Sequence, residues 1–239
     1  MDCLYLRTNE FPAMKKKNIL WLYLFLLVSI LDIFLTANGQ QEERLYTKTL
    51  IIPFLAIYFW QVSIALKGTY IRKAIIGALI FSWLGDTLLL CQPFFLYGLG
   101  AFLMAHICYI IAFKFSQRQP FRIGTVNFLQ LFFYNLPIYL LAAFVYFLVN
   151  PGLGSMKIPV VIYIIIIVMM ATTARERFKE TSPESFWQVF IGAVLFMISD
   201  SMIAINMFFK PFPEASVLIM GTYVLAQLLI VRGIQAHYQ

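Results

Sequence analysis

The stretch Gly77-Ala-Leu-Ile-Phe-Ser-Trp-Leu-Gly-Asp86 is an apolar segment that ends in an acid. Gly192-Ala-Val-Leu-Phe-Met-Ile-Ser-Asp200 repeats this pattern in the second half of the chain. A carboxylate inside a hydrophobic helix costs about 2.5–3.5 kcal/mol on insertion scales, so it commonly marks a working site. Because this cost is met twice in matching contexts, the two aspartates are the first candidates for functional residues.

The composition of the whole chain predicts an integral membrane protein. Of its 239 residues, 62% are hydrophobic and 12% are charged, whereas soluble domains carry about 25% charged residues. Apolar runs of about 20 residues, long enough to cross a bilayer, predict eight spans: 19–37, 49–66, 72–91, 95–115, 126–149, 156–174, 187–209 and 214–235. We therefore predict an all-α polytopic membrane protein with one eight-helix domain over 19–235, a polar and basic segment over 1–18 and a tail over 236–239.

The lysines and arginines are distributed unevenly between the two ends of these spans. Of the 18 such residues, four fall on one side and the remaining fourteen on the other; the four are Arg44, Lys48, Lys157 and Lys210. Because cytoplasmic loops carry the excess of Lys and Arg, both termini are predicted to be cytoplasmic. The formal charge of +7 then reflects membrane topology and does not indicate a surface that binds nucleic acid.

Spans three and four resemble spans seven and eight. Span four carries Phe102-Leu-Met-Ala-His106-Ile-Cys-Tyr109, and span eight carries Tyr223-Val-Leu-Ala-Gln227-Leu-Leu-Ile230. Likewise, span two opens with Lys48 ahead of Pro53, and span six with Lys157 ahead of Pro159. Since four spans separate the copies, they share one orientation, and we predict two parallel four-helix repeats.

This orientation predicts which polar side chains meet. Asp86 and Asp200 are expected at the same depth, in the outer half of the bilayer. Spans four and eight run in the opposite direction, and helical side chains tilt towards the N-terminus of their own helix. We therefore expect Asp86 to approach His106, and Asp200 to approach Gln227, around one polar cavity between the halves.

A structural role is the alternative for each aspartate. Ser82 lies one turn before Asp86 on the same face and is a candidate partner within the bundle. Ser199 and Asn206 are the corresponding candidates for Asp200.

Three other membrane residues have similar alternatives. His106 is equally well explained as a hydrogen-bonded core residue, because lone histidines in apolar helices often are. Lys48 can be a lysine whose ammonium group extends to the membrane interface. Asp32, a third membrane acid near the outer end of span one, can also extend to the interface.

The sequence predicts neither a metal nor an organic cofactor. A catalytic zinc commonly takes three protein ligands that include histidine, and the chain has only His106 and His237. Its three cysteines, Cys3, Cys91 and Cys108, show neither paired spacing nor a metal-ligand pattern. These counts disfavour a metal-dependent membrane hydrolase.

Several of these motifs together resemble the YhhN family, which includes animal lysoplasmalogenases. The resemblance rests on Lys48 with Pro53, Ser82-Trp-Leu-Gly-Asp86, Gly100-Ala-Phe-Leu-Met-Ala-His106-Ile-Cys-Tyr109, the segment that ends at Asp200, and Tyr223-Val-Leu-Ala-Gln227. It covers about residues 45–235. Asp86 and Asp200 match the two acidic positions that characterise the family, whereas the stretch before Lys48 gives little to match.

The resemblance implies a hydrolase that cleaves the vinyl ether bond of lysoplasmalogens, giving a fatty aldehyde and a glycerophospho-ethanolamine or -choline. Such a bond is hydrolysed by protonation of carbon followed by capture of an oxocarbenium ion by water. This needs one protonated carboxyl and one ionised carboxylate, which two acids sharing a site supply. We assign Asp86 as the general acid and Asp200 as the stabiliser and base, and the residues also allow the exchanged roles. The expected substrate-binding residues are His106, Lys48, Ser82, Tyr109, Tyr223 and Gln227.

The strongest alternative is a proton-coupled transporter of small molecules or lipids, because parallel repeats with buried acids also suit such carriers. Transporters often break their helices at the site, whereas here Asp86 and Asp200 lie in segments without proline and Pro137 is the only mid-span proline. A non-catalytic lipid-binding protein is a further alternative. The expected partners are a lysophospholipid substrate and membrane lipid, and the expected location is a bacterial cell membrane; the sequence leaves the oligomeric state open.

Overall fold

The computed structural model describes residues 16–118 and 128–238 of the chain. Most of the predicted N-terminal segment 1–18 lies outside these residues. Within them the secondary structure is helical, and no strand is present. The eight α-helices are α1 Lys16–Ala37, α2 Gln41–Val62, α3 Tyr70–Leu88, α4 Phe95–Phe115, α5 Phe128–Val149, α6 Lys157–Glu176, α7 Pro183–Phe208 and α8 Ala215–His237.

Seven of these helices are long and apolar enough to cross a membrane. The exception is α3, which carries Arg72, Lys73 and Asp86 within its 19 residues. The prediction of a multi-pass membrane protein is therefore confirmed. The crossing by α3, the cytoplasmic position of the termini and the parallel repeats stay predictions.

Helix boundaries follow local capping signals. Thr69 precedes α3, and its side-chain oxygen accepts a hydrogen bond from the backbone N–H of Arg72 at 3.3 Å. Ser182 accepts in the same way from Ser185 at the start of α7, where Pro183 occupies the first turn. A hydroxyl at the N-cap satisfies one of the free N–H groups of a helix end, and proline suits the first turn because it lacks an N–H.

Two helices differ at their ends from the predicted spans. Helix α2 begins at Gln41 and not near residue 49, so Lys48 lies in its second turn, on the same face as Arg44. Pro53 consequently lies inside α2, and Pro137 is not the only proline within a long helix. At the other end of the chain, α8 continues to His237 and includes part of the predicted tail.

The helices pack as antiparallel neighbours, with α1 on α2, α3 on α4 and α7 on α8 forming the most extensive pairs. Helix α5 packs on α6 and α7, and α6 also packs on α4. Close approach of α7 and α8 depends on Gly192, where an added Cβ would lie 3.0 Å from the carbonyl oxygen of Ala226. Small residues at such contacts let two membrane helices pack backbone to backbone. This packing brings α3, α4, α6, α7 and α8 around a common centre.

Candidate active site

Asp86 and Asp200 line one small pocket, which has about 270 Å³ of empty space. Lys48 and Tyr223 contribute its other polar side chains near Asp86, and Leu89, Phe102, Ile203, Ile219 and Met220 contribute most of its apolar wall. The prediction that both aspartates face one shared cavity is therefore confirmed. The chemical surroundings of the two carboxyls within this pocket differ.

Asp86 lies in the last turn of α3 and is 3% exposed. Its Oδ2 accepts a hydrogen bond from the phenol of Tyr223 on α8 at 2.7 Å. Its Oδ1 lies 4.0 Å from Nζ of Lys48, which reaches it from the second turn of α2. Asp86 is thus a buried carboxyl with one hydrogen-bond donor and one cation beside it.

Asp200 lies on α7, and its side chain is 9% exposed. Its Oδ2 accepts a hydrogen bond from the phenol of Tyr163 on α6 and lies 3.6 Å from Nε2 of His106 on α4. Within residues 16–118 and 128–238, no lysine or arginine forms an ion pair with Asp200, and no hydrogen bond involves its Oδ1. Its surroundings are therefore more apolar than those of Asp86.

The predicted pairing of polar residues across the site was wrong. His106 approaches Asp200 and not Asp86, because Phe102, one turn earlier on α4, fills the space beside α3. Its ring packs so closely on Gly85 that an added Cβ would lie 2.6 Å from it. Gln227 likewise approaches Ser82 instead of Asp200.

Gln227 joins three helices through hydrogen bonds. Its Nε2 donates to Oγ of Ser82 on α3 at 3.0 Å, and its Oε1 accepts from the phenol of Tyr109 on α4. All three side chains are buried, and none of them lines the small pocket. Their polar groups bond to one another, so the geometry favours a role in holding α3, α4 and α8 together over direct contact with a ligand.

The serine and asparagine partners considered for Asp200 bind elsewhere. Ser199 donates to the carbonyl oxygen of Ile219 at 3.0 Å, and Asn206 accepts from the backbone N–H of Phe212. In the described part of the chain, neither side chain forms a hydrogen bond with the Asp200 carboxyl.

Asp32 does not extend to the interface, because it is fully buried. Its Oδ1 accepts from Thr47 at 2.8 Å, and its Oδ2 lies 3.6 Å from Nε of Arg44. Arg44 and Lys48 share one face of α2, so two adjacent ion pairs connect α2 with its neighbours: Arg44 with Asp32 of α1, and Lys48 with Asp86 of α3. Asp32 does not line the small pocket.

Two residues of the site were missed by the sequence analysis. Tyr163 is the donor to Asp200, and it carries the only polar side-chain atom between Ile158 and Ala171. A single polar side chain in so apolar a helix could have identified Tyr163 as a site residue, since a buried phenol needs a hydrogen-bond partner. Phe196 lies at the centre of the site, with its ring centroid 4.7 Å from that of His106 and 5.4 Å from that of Tyr223; nothing in the sequence distinguishes it from the other phenylalanines.

A larger apolar cavity adjoins the small pocket between α4, α5, α6 and α7. It has about 720 Å³ of empty space up to its open side. Its wall is almost entirely hydrocarbon and includes Phe95, Leu99, Ala142, Val145, Val160 and Ile167. Asp200 lines both this apolar cavity and the small pocket. Asp200 therefore lies where an apolar space meets a polar one.

The donor set does not suit a metal ion. Across residues 16–118 and 128–238, no three His, Cys, Asp or Glu side chains come together as a cluster of possible ligands. His106 is fully buried, and neither ring nitrogen has a hydrogen-bond partner in the described part of the chain.

Comparison with known protein families places this geometry in context. The model of the YhhN family matches residues 43–234. The chain belongs to the YhhN family. No solved structure matches it. The family match includes both aspartates of the small pocket together with Lys48 and Tyr223, and it begins after Asp32.

Curated relatives of this YhhN family member carry one enzyme name. Lysoplasmalogenase TMEM86B of Rattus norvegicus is 28% identical over 225 residues, which is 94% of this chain and 88% of the relative. Lysoplasmalogenase TMEM86B of Homo sapiens is 34% identical over 183 residues, covering 77% and 71%. A lysoplasmalogenase of Mycobacterium bovis is 34% identical over 167 residues, covering 68% and 60%.

Proposed function

We propose that this YhhN family member is a membrane-embedded lysoplasmalogenase that hydrolyses the vinyl ether bond of alkenyl glycerophospholipids. The products are a fatty aldehyde and a glycerophospho-ethanolamine or -choline. The observation that carries the proposal is one pocket in which two carboxyls, one buried and one 9% exposed, have unlike surroundings. The lysoplasmalogenase names of the relatives supply the substrate class.

The unlike surroundings support opposite roles for the two acids. A neighbouring cation favours the ionised form of a carboxyl, whereas apolar surroundings favour the neutral form. Lys48 lies 4.0 Å from Oδ1 of Asp86, so we assign Asp86 as the carboxylate. Asp200 borders the apolar cavity, so we assign it as the proton donor, which exchanges the roles first expected from the sequence. With Tyr163 donating to Oδ2, the proton of Asp200 belongs on Oδ1.

The proposed reaction needs only these two acids and water. Asp200 transfers its proton to the vinyl carbon that is not bonded to oxygen, and the neighbouring carbon becomes an oxocarbenium ion. Asp86, as a carboxylate, stabilises this cation and takes a proton from the water that attacks it, giving a hemiacetal. Asp86 then protonates the departing glycerol oxygen while Asp200 removes the hydroxyl proton of the hemiacetal. Aldehyde and alcohol leave, and both carboxyls return to their starting forms.

Lys48 has a second role in this proposal. The phosphate of a lysolipid lies a few bonds from the vinyl ether, on the glycerol side. A lysine ammonium at the small pocket offers a point charge for a phosphate oxygen, and Lys48 lines that pocket beside Asp86. Lys48 then acts on both the carboxylate and the headgroup.

The first test is aldehyde release by the purified protein from alkenyl lysophosphatidylethanolamine and alkenyl lysophosphatidylcholine. Because general acid–base groups contribute about 100- to 10,000-fold to a rate, we expect Asp86→Asn and Asp200→Asn each to lower kcat by that order. Asp32→Asn is the matched control, since it removes a buried membrane aspartate outside the small pocket. Absence of aldehyde from folded wild-type protein with both headgroups would refute the proposal.

The transporter alternative predicts a different result. Reconstituted protein would move a solute in response to a proton gradient and would release no aldehyde. Helix α7 continues for about two turns beyond Asp200, whereas α3 ends two residues after Asp86. Carriers commonly build their sites from discontinuous helices, so the continuity of α7 favours the hydrolase.

A further inference from the structure

The acid–base chemistry proposed above assigns no occupant to the apolar cavity between α4, α5, α6 and α7. Its polar lining groups are confined to Tyr163, Asp200 and Ser201 on α6 and α7, and the rest of its lining is aliphatic or aromatic. Its empty space amounts to about 720 Å³ with its open side included. An empty apolar space of this size beside a reactive carboxyl calls for an apolar occupant.

We propose that this cavity binds the single aliphatic chain of the lysolipid, with the vinyl ether at Asp200 and the chain extending away from the small pocket. This inference rests on the proposed function and assigns the chain a place that the function itself does not specify. The chemical class of ligand is a single-chain amphiphile with a phosphate headgroup.

The shared lining of the two spaces supports this orientation. Leu89, Phe102, Asp200 and Ile203 line both the apolar cavity and the small pocket, so the two spaces adjoin beside Asp200, where the proposal places the vinyl ether. In a lysoplasmalogen the vinyl ether joins the chain to the glycerophosphate. With the chain in the apolar cavity, its first carbons meet Asp200 and its phosphate is directed towards Lys48.

The small pocket has charges suited to a headgroup and not to a second chain. Both aspartates and Lys48 form part of its wall. Burying a methylene chain beside these groups would leave charges without solvent, which is costly. The two spaces together therefore fit one chain and one headgroup.

Two neighbouring alanines on α5 provide a matched test. Ala142 is buried and lines the apolar cavity, whereas Ala143 faces outwards and is exposed. Ala142→Phe fills part of the cavity, and Ala143→Phe adds the same ring on the lipid side. Ala204→Phe, one turn beyond Asp200 on α7, fills the cavity from another wall and serves if Ala142→Phe fails to fold.

The assay compares hexadecenyl and hexenyl lysophosphatidylethanolamine. Since each buried methylene contributes to binding, we expect Ala142→Phe to raise KM for the hexadecenyl substrate by about tenfold or more. We expect it to change KM for the hexenyl substrate by less than about threefold. Ala143→Phe is expected to change neither. Equal effects on both chain lengths, or none in folded Ala142→Phe and Ala204→Phe, would overturn the chain site.

A binding experiment separates this inference from the proposed function. An alkyl lysophosphatidylethanolamine has no vinyl ether to cleave, and a diazirine at the end of its chain labels whatever residues surround it. Labelling within the cavity walls of α4–α7, lost in Ala142→Phe but kept in Ala143→Phe, supports the chain site even if no aldehyde is ever released. Labelling elsewhere in a protein that does release aldehyde would refute the chain site and leave the hydrolase intact.

Discussion

Replacing Lys48 with methionine tests the electrostatic arrangement of the site most directly. The side chain keeps its length and loses its charge. Asp86 is then left as a carboxyl that is 3% exposed, with the phenol of Tyr223 as its hydrogen-bond donor and without an ion pair to any other described residue. Removing one partner of a buried ion pair is strongly destabilising because the other charge is left uncompensated.

The expected magnitude follows from the geometry. Two unit charges separated by the 4.0 Å between Nζ of Lys48 and Oδ1 of Asp86 interact by about 4 kcal/mol at an effective dielectric constant of roughly 20. Asp86 offsets part of this loss by taking up a proton, so we expect Lys48→Met to lower the free energy of unfolding by about 3 kcal/mol. Asp86→Asn costs less, since Lys48 is then free to extend towards the N-terminal end of α2.

The double variant Lys48→Met/Asp86→Asn removes both charges. We expect it to be more stable than Lys48→Met alone, with a coupling energy of about 2 kcal/mol or more between the two sites. The free energies are measured by unfolding the purified protein in mixed detergent and SDS. Lys157→Met is the control, because Lys157 is exposed at the start of α6. Additive costs, with a coupling below about 0.5 kcal/mol, would refute the ion pair and with it the assignment of Asp86 as the carboxylate.

Three further substitutions test other parts of the structure. Tyr163→Phe removes the donor to Asp200, and we expect kcat for aldehyde release to fall by about fivefold to tenfold with KM little changed; an unchanged kcat would exclude Tyr163 from the site. Arg177→Met removes the hydrogen bonds of a buried guanidinium to Ser116 and Ser185, and we expect a loss of about 3 kcal/mol of unfolding free energy with kcat preserved; equal stability of variant and wild type in SDS unfolding would contradict this. Gly192→Val pushes α7 from α8 and is expected to lower the midpoint of thermal unfolding, whereas Gly221→Ala, which meets nothing within 4 Å, is not; equal midpoints for the two variants would argue against close packing at Gly192.

Hydropathy was sufficient to locate the helices because apolar length is nearly the only requirement that a bilayer places on them. Predicted spans 95–115 and 126–149 coincide with α4 Phe95–Phe115 and nearly with α5 Phe128–Val149. The same principle accounts for the error at α2, whose first two turns contain Glu42, Glu43 and Arg44. These charged residues lower the mean hydropathy of the segment, so the predicted span began after them. In the structure Arg44 instead contacts Asp32 inside the bundle.

The two aspartates were found from the sequence because a membrane acid is rare enough to stand out. The side chains that contact them were not found. The tilt of side chains along a helix predicts their depth in the membrane, but it does not predict which neighbouring helix they face. His106 was expected beside Asp86, but the ring of Phe102 takes that place on Gly85. Tyr163 was overlooked because a single tyrosine in an apolar helix also suits the membrane interface. Which aromatic residue meets which carboxyl depends on packing in three dimensions.

The predicted duplication offers a reason why the two acids differ. In the sequence comparison Tyr223 of the second half corresponds to Phe102 of the first, and Lys157 corresponds to Lys48. Asp86 receives a hydrogen bond from Tyr223 and an ion pair from Lys48. At the corresponding positions around Asp200, Phe102 has no hydroxyl and Lys157 is exposed.

Under the predicted duplication, one substitution and one change in the direction of a lysine are enough to make equivalent carboxyls unlike. One exchange removes a hydrogen-bond donor near Asp200, and a change in the direction of one lysine removes its cation. Asp200 instead takes its donor from Tyr163 of α6 and borders the apolar cavity. A reaction that needs one protonated and one ionised acid is favoured when the two acids have unlike surroundings. The difference between the surroundings of Asp86 and Asp200 therefore suits the proposed chemistry, and both carboxyls line one pocket.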